Sequence, residues 1–327
     1  MNNEDIMVSI SCITYNHEKY ISDAIEGFLM QKTNFKYEIL IHDDASTDDT
    51  ANIIREYEKK FPDLIKPIYQ KENQWSKGVR RIENIYNIPR AKGKYIAFCE
   101  GDDFWIDPYK LQKQVDFLEA HEDFTMSIHA AKRVTPDGKF LNSYLGPYKS
   151  GDQVFDIKDI GKYFFATASK VVRKDIIEVL PNWAYIGEAG DFPMELIIFS
   201  KGKVFYFDQV MSAYRVMVPG SANERLKNKN RKEKIDYYNE RIFLLEEFDK
   251  YTDSKFREYI NNYILSLEIT KNSLLLNPLK KLNFAYSLYN KKEFKEKKTF
   301  ERFKKIVRLF FPKISSFLYL KLIKGEK

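Results

Sequence analysis

The sequence predicts an α/β fold, a mainly parallel sheet flanked by helices and continued by a helical C-terminal extension. Three observations carry that reading. The first 125 residues alternate between a hydrophobic period of two and one near 3.6, with short links. Polar, mostly acidic residues fall at the ends of the strand-like runs. Beyond Pro219-Gly220 the pattern is helical to the end.

The elements follow in order. Val8–Ile13 reads as a strand, with Thr14–His17 as its turn, and Tyr20, Ile21, Ala24, Ile25, Phe28 and Leu29 recur at helical spacing. Tyr37–Ile41 is a second strand. Ser46 or Thr47 is placed to cap the next helix, which carries Ile53, Ile54 and Tyr57, with Asp48 and Asp49 complementing its dipole. Ile65–Tyr69 is a third strand and Tyr95–Cys99 a fourth. Asp107-Pro108 opens a helix with Leu111, Val115 and Leu118 facing inward. Met126–Val134, Phe165–Val172 and Val204–Phe207 are further strands, Thr135–Gly138 is a hairpin turn, and residues 192–200 form a helix. Ligands of parallel sheets sit beyond the carboxyl ends of the strands. Asn16, Asp43-Asp44 and Glu100–Asp103 all fall there, so one rim gathers them. Residues 1–220 are expected to form one domain and residues 221–327 the extension.

Composition narrows the class. The 327 residues contain no apolar run long enough to span a bilayer, and MNNEDIMVS does not read as a signal peptide. Cys12 and Cys99 sit singly inside strand-like runs, so a reduced, cytoplasmic protein is expected. Residues 1–220 carry 28 Lys/Arg against 33 Asp/Glu, whereas residues 271–327 carry 16 against 4. The net charge of +7 therefore belongs to the tail. The acidic rim disfavours nucleic acid.

Glu100, Asp102 and Asp103 stand close together after an apolar strand. Like charges so placed repel unless they point into water or share a cation. The ordered series "VSISCITYNHEKYISDAIEGFLMQ", "YEILIHDDASTDDT", "KGKYIAFCEGDDFWIDPYKLQKQ", "GDFPMEL" and "YRV" resembles the inverting family 2 glycosyltransferases of the Rossmann-like GT-A fold, across roughly residues 7–217. The resemblance implies a nucleotide-sugar donor, a UDP-sugar, and a divalent cation, Mn²⁺ or Mg²⁺, that neutralises the departing diphosphate. Glu100-Gly101-Asp102 takes the place of the family's Asp-x-Asp signature. It makes Asp102 the main metal ligand, Asp103 a second ligand or support, and Glu100 a ribose contact. Thr14, Tyr15 and Asn16 match the loop that cradles base and ribose, and Asp44 or Asp43 the nucleobase contact. Arg80, with Lys77 and Arg81, lies where a phosphate or base contact is often found.

An inverting transfer also needs a carboxylate opposite the leaving group to take the acceptor's proton. By the same resemblance Asp191 is that base, Glu188 an acceptor contact, and Thr167–Ser169 a sugar-side wall. A helix-capping role for Asp191 stands beside this one. The sequence departs from the family after Tyr214-Arg215, where Met217 follows in place of a metal-binding His. His17, His42, His121 and His129 match no such position. Arg215 is then a candidate to face phosphate. In residues 291–327 aromatic residues interleave with Lys and Arg, which fits either attachment to the inner face of an anionic membrane or a helix packed on the protein. The expected setting is surface polysaccharide assembly, with a glycan or lipid-linked acceptor. The rivals are a non-catalytic nucleotide-sugar-binding subunit and a nucleotidyltransferase, and "TYNHEKY" lacks the Gly-rich phosphate loop the latter needs.

Overall fold

The computed structural model describes residues 5–147, 150–188, 190–219, 221, 224–225, 228–290, 292–295 and 297–311. Contacts divide the chain into two compact units, residues 1–186 with 190–221, and residues 187–189 with 222–327.

The first unit holds a mixed sheet. Strands β1 (Ile6–Thr14), β2 (Lys36–Asp43), β3 (Ile65–Tyr69) and β4 (Tyr95–Phe98) are mutually parallel. So are β6 (Phe124–Val134) and β10 (Lys203–Arg215). Between these groups β9 (Val171–Arg173) runs antiparallel to both β4 and β6. The short strands β5 (Phe104–Trp105), β7 (Phe140–Leu145) and β8 (Gln153–Phe155) add antiparallel pairings. The order along the sheet is β3-β2-β1-β4-β9-β6-β10-β5.

Helices α1 (Ile21–Leu29), α2 (Thr50–Lys60), α3 (Lys110–Ala120), α4 (Lys174–Ile177) and α5 (Phe192–Lys201) complete this unit. The apolar spacing explains α1: Ile21, Ala24, Ile25 and Phe28 lie on one face and are buried. Its Gly27 lets the helix touch the β5 backbone, because a Cβ there would stand 2.9 Å from the Trp105 nitrogen. Phe28 meets the Trp105 ring edge-on at 4.8 Å, joining α1 to the strand after the acidic turn.

Two local expectations are corrected. Helix α2 starts at Thr50, with Asp49 rather than Ser46 or Thr47 at the cap position. Ser46 and Thr47 are instead bonded to Asp43 and Asn16 across the loop. The strand expected over 165–172 is confined to β9. Thr167–Ser169 coils into a 3-10 turn, held by a 2.9 Å bond from Trp105 Nε1 to the Ala168 carbonyl. Cys12 and Cys99 are both buried and unpaired with each other.

The second unit is helical: α6 (Arg231–Tyr251), α7 (Arg257–Leu275), α8 (Pro278–Asn290), α9 (Lys292–Lys295) and α10 (Thr299–Phe310). Asn230 and Glu233 close a reciprocal capping box at the start of α6. Leu265, Ile269, Ala285, Leu288, Phe294 and Leu309 form its core, with Phe284, Ile306 and Phe310 packed on it. Leu309, Ile306 and Phe310 thus turn part of the α10 apolar face into this unit, while Phe303 stays 62% exposed. Within the basic stretch 291–327, residues 312–327 lie outside the described residues. Among the described residues no helix is long and apolar enough to cross a membrane.

Candidate active site

Parallel pairing brings the ends of β1, β2 and β4 to one edge. Thr14 stands opposite Asp43, the Asp44 N–H donates to the Thr14 carbonyl at 2.9 Å, and the Gly101 N–H donates to the Ile13 carbonyl at 2.9 Å. Asn16 has a left-handed backbone (φ +54°), and its side-chain oxygen accepts from the Thr47 N–H at 2.8 Å. Asp43 accepts from the Ser46 hydroxyl and N–H. Asp44 receives the Gln74 N–H at 2.8 Å on one oxygen and the Trp75 N–H at 3.1 Å on the other. Asn16, Asp43 and Asp44 thus hold the loops of the rim in place, whatever else they contact. The Tyr15 side chain is exposed beside them.

The acidic turn between β4 and β5 is pinned from behind. Asp103 is buried, and its Oδ1 accepts the Arg215 N–H at 2.8 Å from the end of β10. The Arg215 guanidinium donates to the Asp102 carbonyl at 2.7 Å, pairs with Asp23 and lies near the Tyr20 and Phe104 rings. Its side chain is only 2% exposed, so Arg215 is a clamp on the turn and does not face phosphate. The turn also needs its glycine. A Cβ on Gly101 would lie 2.5 Å from Thr14 Oγ1 and 3.0 Å from His17 Nδ1. Gly101→Ala is accordingly expected to cost about 1–3 kcal/mol by overpacking. Chemical denaturation measures this, and an unchanged midpoint would show that the turn yields freely.

Crowding shapes the electrostatics. Burial, then the charges of Asp102, Asp191, Asp103 and Glu83, hold the Glu100 carboxyl well above its ordinary range. Burial and Asp102 do the same to Asp103, against Arg215. Asp103 Oδ2 is buried without a hydrogen-bond partner. Half-buried Glu100 and Asp102 supply hard oxygen donors beside it. Such a set fits a divalent cation of the Mg²⁺ or Mn²⁺ type. Among the described residues no three His, Cys, Asp or Glu side chains form a complete ion-holding group. Phosphate oxygens and water would have to fill the remaining positions.

Asp191 immediately precedes α5 but gives that helix no side-chain cap. Its Oδ2 instead accepts from Lys170 Nζ at 2.6 Å and from Thr167 Oγ1 at 3.2 Å. Lys170 is 1% exposed and also bonds Glu195 at 2.8 Å, whereas Asp191 remains 31% exposed. Burial alone would raise the Asp191 carboxyl. The Lys170 charge and hydrogen bond, with Thr167 and Arg81, bring it below the ordinary carboxylate range. The Asp191 charge is also among those that raise the Glu100 carboxyl.

Other expected residues lie differently. Arg80 bonds the Trp75 and Val79 carbonyls of its own loop at 3.0 Å and stacks on the Trp75 ring. Lys77 is exposed and pairs with Glu72, and Arg81 donates to the Ala184 carbonyl at 2.9 Å. Glu188 belongs to the second unit, where it accepts from Lys229 at 3.2 Å. Met217 is 70% exposed with φ +63°.

Sequence reasoning missed three residues. Lys170 lies inside the 165–172 run expected as a strand and carries no local signal there. His17 matched no expected ligand position, yet it stands against Gly101, and burial lowers its imidazole pKa against the raising charge of Asp102. Glu83 opens a one-turn π-helix (Glu83–Asn87), a geometry frequent at functional sites. Burial first, then the Asp191 charge, lift the Glu83 carboxyl to about 7. A carboxyl raised on folding contributes stability at low pH that is lost as pH rises through 7. Glu83→Gln is thus expected to exceed the wild type by about 3 kcal/mol at pH 8, a difference absent near pH 4. Urea denaturation at the two pH values checks this, and equal differences at both would contradict it.

Residues 9–180 match the family described as Glycosyl transferase family 2, more than half of the chain. An uncharacterised Mycobacterium tuberculosis protein, Rv1520, is 44% identical over 132 residues, covering 40% of this chain and 37% of that one. TuaG of Bacillus subtilis, named for a role as a teichuronic acid biosynthesis glycosyltransferase, is 34% identical over 146 residues, 44% of this chain and 55% of its own. These matches therefore span about half or less of the relatives' lengths. S. aureus TarS, crystallised as residues 1–349 with UDP-GlcNAc, superposes with a TM-score of 0.62 over 98% of this chain and 89% of that one, at 17% identity. That likeness is one of fold, the GT-A arrangement of a mainly parallel sheet with helices on its faces. Since the family match runs through β1, β2, β4 and the acidic turn they position, the chain belongs to glycosyl transferase family 2.

Proposed function

We propose that this protein is an inverting glycosyltransferase of surface polysaccharide assembly. It moves one sugar from a UDP-sugar to a glycan or lipid-linked saccharide. The observation that carries the reading is the meeting of two unlike carboxylate groups. One is the crowded turn Glu100–Asp103, in which burial and the Asp102 charge raise the Glu100 and Asp103 carboxyls, and the other is Asp191, held ionised by Lys170. Environments that push carboxyl groups apart in this way suit separate roles.

In this reading Tyr15 and the loops tied by Asn16, Asp43 and Asp44 border the nucleoside, and Glu100 faces the ribose. Asp102 and Asp103 would hold Mn²⁺ or Mg²⁺. Bound there with the diphosphate, such an ion supplies Lewis-acid neutralisation of the leaving group. Asp191 accepts the proton of the acceptor hydroxyl. That oxygen bonds to the anomeric carbon as the bond from this carbon to the diphosphate oxygen breaks, and UDP carries away the electron pair. Glu188 is proposed as an acceptor contact from its place in the chain alone, and Arg80 as a more distant donor contact. Residues 1–220 are proposed as the catalytic domain and residues 221–327 as an extension that attaches to the inner face of the membrane.

The test is turnover. The protein is incubated with a panel of UDP-sugars and Mn²⁺, with and without chelator, and released UDP is measured. Release that needs the ion and falls in Asp191→Asn supports the reading. Exposed Met217, in place of a metal-binding His, favours a second reading as a nucleotide-sugar-binding subunit. UDP binding with no turnover of any donor would select it.

A further inference from the structure

Helix α8 shows two unlike faces. Ala285 and Leu288 are buried in the core of the second unit. Beside them Leu279, Leu282, Tyr286 and Tyr289 are 69%, 57%, 76% and 51% exposed. Their spacing of three, four and three residues aligns them in one stripe about 15 Å long. Four large apolar side chains in such a row are unlike the single exposed residues common on protein surfaces. The helix contains Lys280 and Lys281 and no acidic residue. The surrounding sequence, residues 271–327, carries 16 Lys/Arg against 4 Asp/Glu, a net charge of +12.

We propose that the Leu279–Tyr289 face of α8 is a docking surface for an anionic lipid bilayer, entering at the headgroup level with lysines on the surrounding surface. Charge chooses the occupant. A second copy of this unit would bring another strongly positive region against the first, whereas anionic headgroups neutralise both lysine and arginine. Tyrosine also suits the place, having an apolar ring and a polar tip for the wet interface. This surface precedes the 291–327 stretch that the sequence suggested, in which Leu309 of α10 is buried in the unit's own core. The inference rests on the membrane-attachment part of the proposed function and names its surface. It needs no donor or acceptor to be identified.

Flotation of the full chain with phosphatidylcholine vesicles, with and without phosphatidylglycerol, tests it. The wild type is expected to float with the anionic vesicles and to be released by high salt. Leu282→Glu with Tyr286→Glu is expected to weaken that binding by about tenfold or more. Leu282→Phe with Tyr286→Trp retains it. Unchanged circular dichroism and melting show that the charged variant is folded. If the wild type does not float with anionic vesicles, membrane attachment itself fails. If both variants float like the wild type, attachment stands and this surface is wrong. A dimer in sedimentation that only the charged variant dissolves would assign the stripe to a second copy and overturn the proposal.

Discussion

Asp191→Asn is expected to lose about 10²- to 10⁴-fold in kcat, the usual contribution of a positioned general base, while still binding nucleotide. The mount of the side chain suits this proposed task. Lys170 Nζ at 2.6 Å and Thr167 Oγ1 at 3.2 Å both approach one oxygen, so the carboxylate has a fixed direction. Lys170→Met tests the mount by a different readout. It leaves Asp191 and Glu195 without their buried cation, at a cost of about 3–5 kcal/mol. The signs follow from linkage. Asp191 is held below the usual carboxylate range, so its stabilising pair is intact above about pH 4 and lost on acidification through its lower folded value. Lys170 is raised on folding, so its share is intact at and below the ordinary lysine range and lost only at higher pH. In Lys170→Met the acid limb of the kcat profile is expected to move up in pH. A merely structural lysine would lower stability and leave that limb unmoved.

Asp102→Asn is the second large effect, an expected drop of about 10²- to 10³-fold in kcat/KM, equivalent to several kcal/mol of leaving-group stabilisation. Ion-dependent UDP binding should fall with it. Asp103→Asn is expected to behave differently. Its Oδ1 holds the Arg215 N–H at 2.8 Å and its other oxygen is buried without a partner. The fold around the turn then suffers along with ion binding. Thermal melting separates the two variants: Asp102→Asn should melt like the wild type, and Asp103→Asn should melt earlier. Equal melting with equal loss of binding would show that both carboxylates do the same work.

Much of the fold was legible because it is local. The period-two run over Val8–Ile13 and the helical recurrence of Ile21, Ala24, Ile25 and Phe28 each declare an element within a few residues. The parallel sheet follows from their alternation, and with it the rim at the strand ends. Long-range partners were not legible. Ser46 and Thr47 look like helix caps, but Asn16, some thirty residues earlier, is close enough in space to engage both. The 165–172 run has strand composition, yet the Trp105 indole captures the Ala168 carbonyl and turns the backbone. Lys170 and Glu83 carry no local signal, since their significance lies in Asp191, 21 residues after the first and far along the chain from the second. Arg215 invited a phosphate role by its charge. Its burial between Tyr20 and Phe104, against Asp23, depends on three separate segments meeting.

The central claim of the proposal is that Asp102 and Asp103, crowded by Glu100, hold a doubly charged ion together with a bound diphosphate. Calorimetric titration of UDP into the wild-type protein, first with Mn²⁺ and then with chelator, measures this most directly. The account predicts binding with the ion and at least about tenfold weaker binding without it. The same affinity for UDP in both solutions would contradict it.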